Sequence, residues 1–394
     1  AQVLATSRFA ANLLNRSPAN VAILIGHGEA HGTGKADLRA ELAASIERGA
    51  QLEQRGQLIR SMRNRELLRV AMAEVIDHLP VDQVGQQLSD LWDVVVNTAL
   101  VVAEQALPGP VSLAIIALGR WGGRELTYGS DADLMVVTSE SDDPDLQRLG
   151  EERLSLMRRL LQSSSVDPGL ELDLGLRPEG KKGPMLRSLK STLAYYQRWA
   201  QPWEAQALLR ARFGGGDRGL ADQFLSQINW FRYPAQGLDA TAASSIRRLK
   251  ARMETERIGR GVDPRNHVKL GPGGLSDVEW TVQMLQLQHG HQLAGLRVTG
   301  TLAALEAAQD AGLINQVEAT RLRAAFEMAS RIRNGNNLLA HRDANLIPAN
   351  AQDLGHLAQA LGYPRGQGST LADDWHRTAR LAKGVTDRVF WASQ

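Results

Sequence analysis

The stretch YGSDADLMVV, residues 128–137, sets Gly129 and Ser130 directly before two aspartates one residue apart, at the mouth of an apolar run. Strand side chains alternate between faces, so Asp131 and Asp133 are expected to point the same way. Two carboxylates that close repel, and keeping both ionised without a cation is costly. A divalent metal resolves the conflict: magnesium prefers oxygen ligands and keeps positions open for water and substrate phosphates. With a third carboxylate from elsewhere, such a pair suits in-line phosphoryl or nucleotidyl transfer.

Working outward, VSLAIIALG (111–119) reads as a strand, followed by a glycine-rich turn carrying Arg120 and Arg124, then DLMVVTS (133–139) as a second strand. LELDLGLRP (170–178) alternates like a third, and the aspartate inside it, Asp173, is poorly explained by packing. Asp173 is the third carboxylate candidate, as metal ligand and as the base accepting a proton from an attacking hydroxyl. Gly129 permits close backbone approach to a phosphate and Ser130 offers a hydroxyl. Arg120, Arg124, Lys181 and Lys182 would suit a triphosphate tail. Alone, GSDAD reads equally as a solvated turn entering a strand; the flanking strands and the separate Asp173 favour a site.

The expected fold class is α+β, in three parts. Residues 1–107 read as helical, with apolar positions three and four apart through 56–107 and breaks at Pro80 and Gly85. ALPGP (106–110) opens a mixed region, 108–218, which FGGGDRG (213–219) closes. Residues 219–394 are helical again, with helices expected at 242–258, 275–289, 299–311, 315–340 and 370–392. The 394 residues carry a net charge of only +2, which argues against a nucleic-acid binder. The apolar runs are too short to span a bilayer. There is no cysteine and no signal-peptide pattern, which points to the cytoplasm. The chain begins at Ala1 rather than Met, as a piece of something longer would.

Four blocks carry a resemblance: LGRWGGRELTYGSDADLMVV (118–137), DLGLRPEGKKGPM (173–185), YYQRWAQPWEAQALLRAR (195–212) and HVKLGPGGLSDVEWTVQMLQLQHG (267–290). Together they resemble the glutamine synthetase adenylyltransferase family, within the nucleotidyltransferase superfamily that includes DNA polymerase beta. The resemblance implies a polymerase-beta-like core, a small mixed sheet with helices, flanked by N-terminal helices and a C-terminal helical bundle. Family members are bifunctional: one half attaches AMP to a tyrosine of glutamine synthetase, and the other removes it by phosphorolysis. VLATSRFAANLLNRSP (3–18) and Gly129 look more like the C-terminal, adenylylating half. By position, Asp131 and Asp133 would hold Mg²⁺ with Asp173 as third carboxylate. Gly129 and Ser130 would contact ATP phosphates, alongside Arg120, Arg124, Arg177 and Lys181. Gly175 and Ser276 stand where the family has arginines. Glutamine synthetase and ATP are the implied partners, with a PII-type signalling protein and glutamine as regulators and neither nucleic acid nor membrane. The rivals are the deadenylylating half and a non-catalytic, nucleotide-binding regulator.

Other motifs weigh less. IGHGEAHGTGKAD (25–37) fails as a P-loop, because Glu29 stands where the first glycine is needed and Ala36 follows Lys35; an interhelical loop is expected. His267, His289 and His291 read as capping or surface groups rather than metal ligands. Asp277 and Glu279, after GPGG (271–274), suit the first turn of a helix. Trp203 reads as core, and Glu204 with Arg210 as an ion pair or support.

Overall fold

The computed structural model describes residues 7–25, 34–49, 51–141, 143–162, 169–341 and 343–392. It divides into two compact units, Ala10–Ala200 with Arg210–Asn229, and Ala1–Phe9 with Gln201–Leu209 and Trp230–Gln394. The expected segments 1–107 and 108–218 thus fall largely within one unit.

After the short helices Arg8–Arg16 and Val21–Ile25, that first unit has the longer helices α1 (Lys35–Arg48), α2 (Leu52–Ile76) and α3 (Val81–Ala106). Pro80 separates α2 from α3, as its missing N–H and fixed φ require. Gly85 does not break anything. It lies inside α3, where a Cβ would stand 2.9 Å from the carbonyl oxygen of Arg124, so the glycine admits a neighbouring loop. Along α3, Val84, Leu88, Leu91, Trp92, Val95, Ala99 and Val102 recur at helical spacing and are all buried.

A small mixed sheet follows: β1 (Leu113–Ala117), β2 (Ala132–Thr138), β3 (Leu172–Asp173), β4 (Leu186–Ser188) and β5 (Arg212–Gly216). A short helix, α4 (Gly119–Gly122), lies between β1 and β2, and α5 (Pro144–Leu161) after β2; α6 (Leu189–Arg198) follows β4, and α7 (Arg218–Gln227) follows β5. β1 pairs antiparallel with both β2 and β5. β3 and β4 share the other edge of β2, both parallel to it. Their pairing offsets differ: Asp133 faces Asp173, an offset of 40, whereas Val136 faces Leu186, an offset of 50. That edge is therefore interrupted by a twelve-residue excursion, 174–185, ten residues more than the two of β2 it passes. α3 packs against β5, α2 and α5; α7 packs against β1, β2 and β5.

Two expectations are corrected here. FGGGDRG is no break, since its first part is β5. Gly214 and Gly215 let Trp121 and Asn97 come within about 3 Å of where side chains would begin, which a larger residue would prevent. The third strand is shorter than 170–178, because the backbone turns at Gly175.

In the second unit, α9 (Leu275–His289), α10 (Thr301–Asp310), α11 (Gln316–Leu338), α12 (Ala351–Ala360) and α13 (Gly368–Thr386) enclose a helical core, while α8 (Ala240–Arg257) sends Ala243 and Ile246 into a smaller cluster with Met284 and Leu287 of α9. Val278, Val282, Leu305, Leu322, Phe326, Leu357 and Trp375 meet in the helical core, all buried. α12 was not expected from the sequence. Among the described residues, no helix is long and apolar enough to cross a membrane.

Candidate active site

The sheet register decides which aspartates meet. Ala132, Leu134, Leu172 and Leu174 are buried, so Asp133 and its strand partner Asp173 share the opposite face, both half-buried. Neighbouring strands lie about 4.8 Å apart, which brings the two carboxyl groups into one locality. Asp131 directly precedes β2, two residues before Asp133, and is exposed. Asp173 Oδ1 accepts from Gly175 N at 2.6 Å, a local turn that ends the strand.

The connection from β1 closes on Asp133. Leu118 N donates to the Asp133 carbonyl at 2.9 Å. Gly119 then takes φ +51°, and a Cβ there would fall 2.1 Å from Asp133 Oδ2. Only glycine permits both the left-handed backbone and that approach.

The rest of the connection is pinned by α2, α3 and β5. Asp93 of α3, buried, accepts from Trp121 Nε1 at 2.7 Å and Arg212 Nη1 at 2.9 Å, and it pairs with Lys35. Arg212 also donates to the carbonyls of Trp121 (3.0 Å) and Gly122 (3.2 Å). Arg210 Nη1 bonds Glu125 Oε2 at 2.6 Å, and Arg124 Nη1 bonds Asp90 Oδ1 at 2.8 Å. The buried Tyr128 hydroxyl donates to Glu74 Oε2 at 2.6 Å; burial, then the neighbouring Glu74 charge, holds its pKa well above the ordinary phenol value.

The expected phosphate contacts have varied surroundings. Ser130 Oγ accepts from Thr127 N at 2.9 Å, while Gly129 is exposed beside it. Arg120 lies half-buried in α4, and its carbonyl accepts from Glu125 N at 2.9 Å. Arg124 is tied to Asp90. Arg177 donates to the carbonyls of Leu174, Lys181, Gly183 and Pro184, so its guanidinium folds the looped-out segment. Lys181 on that segment is exposed, its Cε 3.7 Å from where a side chain at Gly175 would begin, beside Asp173.

The other motifs resolve plainly. Arg210 pairs with Glu125; Glu204 accepts from Gln201 N in a capping box, and Trp203 is only half-buried. Asp277 is buried against Lys250 at 2.6 Å and accepts from Gly273 N at 2.7 Å. His267 Nδ1 accepts from Leu270 N at 3.0 Å. In 25–37, residues 26–33 lie outside the described residues, and Lys35 begins α1.

The donor chemistry fits a small divalent cation held as magnesium usually is, by one or two carboxylates plus substrate phosphates rather than by an all-protein cage. Among the described residues, no three His, Asp or Glu side chains form such a cage. Asp133 and Asp173 form the register-fixed pair, with Asp131 roughly 6.6 Å further along β2 by strand rise. Sequence reasoning passed over Gly119, Asp93 and Arg212. Gly119 had a signal, a glycine directly after an apolar strand; Asp93, inside an apolar helical run, had none until α3 was placed.

These features sit in a matched region. The family model for glutamate-ammonia ligase adenylyltransferase matches residues 1–227, and that for GlnD PII-uridylyltransferase matches 244–390. The chain is similar to the bifunctional glutamine synthetase adenylyltransferase/adenylyl-removing enzyme of Cutibacterium acnes, 41% identical over 99% of this chain and 40% of the relative. The corresponding enzymes of Streptomyces coelicolor (43% identical, 100% and 41% covered) and Mycobacterium tuberculosis (41% identical, 98% and 40%) match likewise. The chain spans about two fifths of the length of these curated relatives. With more than half of it under the first family model, including every carboxylate of the site, the chain belongs to the glutamate-ammonia ligase adenylyltransferase family.

Proposed function

We propose that this chain is a magnesium-dependent nucleotidyltransferase with a polymerase-beta-like core, moving AMP from ATP to a tyrosine of glutamine synthetase and releasing pyrophosphate. The observation that carries the proposal is the register pairing of Asp133 with Asp173, with the Gly119 turn closed on the Asp133 carboxylate. Asp131, Asp133 and Asp173 would hold Mg²⁺, which supplies charge neutralisation at the ATP phosphates. Lys181 would steer the phosphate tail from the looped-out segment. Asp173, with Oδ1 fixed by Gly175 N, would take the tyrosine proton as the phenolate oxygen attacks the α-phosphorus. Positioning and electrostatics dominate reactions of this type, so most of the rate would come from the fixed carboxylate geometry. A PII-type signalling protein and glutamine are proposed as regulators of the same step.

The test is incubation with ATP labelled at the α-phosphate, Mg²⁺ and unmodified glutamine synthetase, beside an Asp131→Asn, Asp133→Asn double variant. Label on glutamine synthetase with the wild type alone supports the proposal. No transfer, but ADP released from adenylylated glutamine synthetase and phosphate, would assign the deadenylylating reaction. Silence in both would leave a non-catalytic nucleotide binder.

A further inference from the structure

Asp93 is three residues beyond Asp90 on α3, outside the sheet, and it gathers an uncommon set of partners. Its carboxylate takes the Trp121 indole N–H, one Arg212 N–H and the Lys35 ammonium, while being almost wholly buried. A buried charge persists only when it is paired and hydrogen-bonded. Here the pairing has a direction. Both Trp121 and Arg212 converge on the α4 turn, Trp121 as a member of it and Arg212 by bonding the carbonyls of Trp121 and Gly122. Two residues before Trp121 stands Gly119, against the Asp133 carboxylate. The chain of contacts runs from Asp93 through Trp121 and Arg212 to the turn, and from the turn to Asp133. On its other side the turn is closed by the backbone leading into β5: a Cβ on Gly122 would fall 2.0 Å from the Arg210 carbonyl oxygen. The turn has no room to drift toward β5, and Asp93 holds it from the α3 side.

We propose that Asp93 is a positioning residue for nucleotidyl transfer, fixing the Gly119–Gly122 turn and through it the Asp133 carboxylate. The catalytic part of this inference rests on the function proposed above; the structural part does not. It also gives α3 a part in the site, although that helix lies in the segment whose sequence reads as a separate helical region.

The test uses the whole chain with Asp93→Asn, which keeps size and shape but takes the charged partner from Arg212 and leaves Lys35 only Asp90, and with Trp121→Phe, which keeps the ring and removes its donor. Outer-shell partners of this kind typically matter by about 10–100-fold. Asp93→Asn is expected to lower kcat for AMP transfer by that factor, with KM for ATP changing much less. Trp121→Phe should act in the same direction, and the double variant should be no worse than Asp93→Asn, as for residues acting in series. Amide hydrogen exchange supplies a readout independent of activity: it should rise across 118–131 and stay unchanged in α5. A kcat within twofold of wild type, or exchange rising equally in α5 and the loop, overturns the proposal. Should Asp93→Asn fail to fold, Trp121→Phe decides by the same readouts. If the wild type neither transfers nor phosphorolyses, the proposed function falls, and the exchange experiment still decides whether Asp93 holds the turn.

Discussion

Replacing Gly119 with alanine separates stability from function in a way the geometry fixes in advance. The residue has φ +51°, and a new Cβ would stand 2.1 Å from Asp133 Oδ2, 2.7 Å from Cγ and 3.0 Å from Cβ. The left-handed backbone costs an alanine about 1–2 kcal/mol. The clash falls mostly on the far end of a side chain, so it is relieved by turning the carboxylate rather than by opening the sheet. Restoring an ordinary C···O separation of roughly 3.3 Å moves Oδ2 by about 1 Å. A displacement of that size at a reacting centre costs about 100-fold in rate, or about 2.7 kcal/mol of barrier. The assay pairs kcat for AMP transfer with a denaturant midpoint. Gly312→Ala is the control, because Gly312 has φ +71° but nothing within 4 Å of an added Cβ. It should lose a similar 1–2 kcal/mol without loss of activity. If Gly119→Ala keeps activity within threefold of wild type, the idea that the turn sets the carboxylate is refuted.

Gly85→Ala should destabilise, although alanine is the better helix former by up to about 1 kcal/mol: its Cβ would meet Arg124 O at 2.9 Å and Glu125 Cα at 3.0 Å, and overpacking against backbone costs about 1–3 kcal/mol. A rise in the urea midpoint would contradict this. Tyr128→Phe leaves the Glu74 acceptor without its 2.6 Å partner and should cost about 1–3 kcal/mol by the same measurement. In the second unit, Lys250→Met strands the buried Asp277 carboxylate and should cost about 3–5 kcal/mol, whereas little change in thermal stability would mean that Gly273 N suffices. The Arg65 hydrogen bond holds the Glu41 carboxyl below its ordinary value of 4.5. A depressed folded-state pKa contributes stability above the unfolded value and loses it as pH falls through the folded one. Glu41→Gln should therefore flatten the acid limb of the stability curve below about pH 4.5, seen as converging denaturant midpoints.

What was legible in the sequence followed from periodicity and charge. The isolated Asp173 marked itself as the strand partner of Asp133, because a charge inside an alternating strand demands a reason. The long helices were read from three-and-four spacing, α12 excepted. Glycine was where local reading failed. In FGGG it signals a break by propensity, yet tertiary packing against Trp121 and Asn97 requires absent side chains within a strand. Gly85 reads as a breaker and proves to be a contact surface for a loop. Partner choice was also hidden: Arg210 bonds Glu125, eighty-five residues away in the sequence, which no local spacing announces. Asp93 looks like one polar residue in an apolar helix until Arg212 arrives from the far end of the unit.

The edge of β2 carries a further consequence. Because the chain leaves that edge after Asp173 and rejoins it at Leu186, the sheet is indifferent to how long the detour is. Loop-closure entropy grows only slowly with length, so insertions and deletions there should be tolerated where changes in β2 would not be. Arg177 and Lys181 ride on this adjustable piece, while Asp131 and Asp133 belong to the invariable one. The architecture separates a fixed reaction centre from an interchangeable rim, and divergence in what the site accepts should be written in residues 174–185, which the sheet does not count.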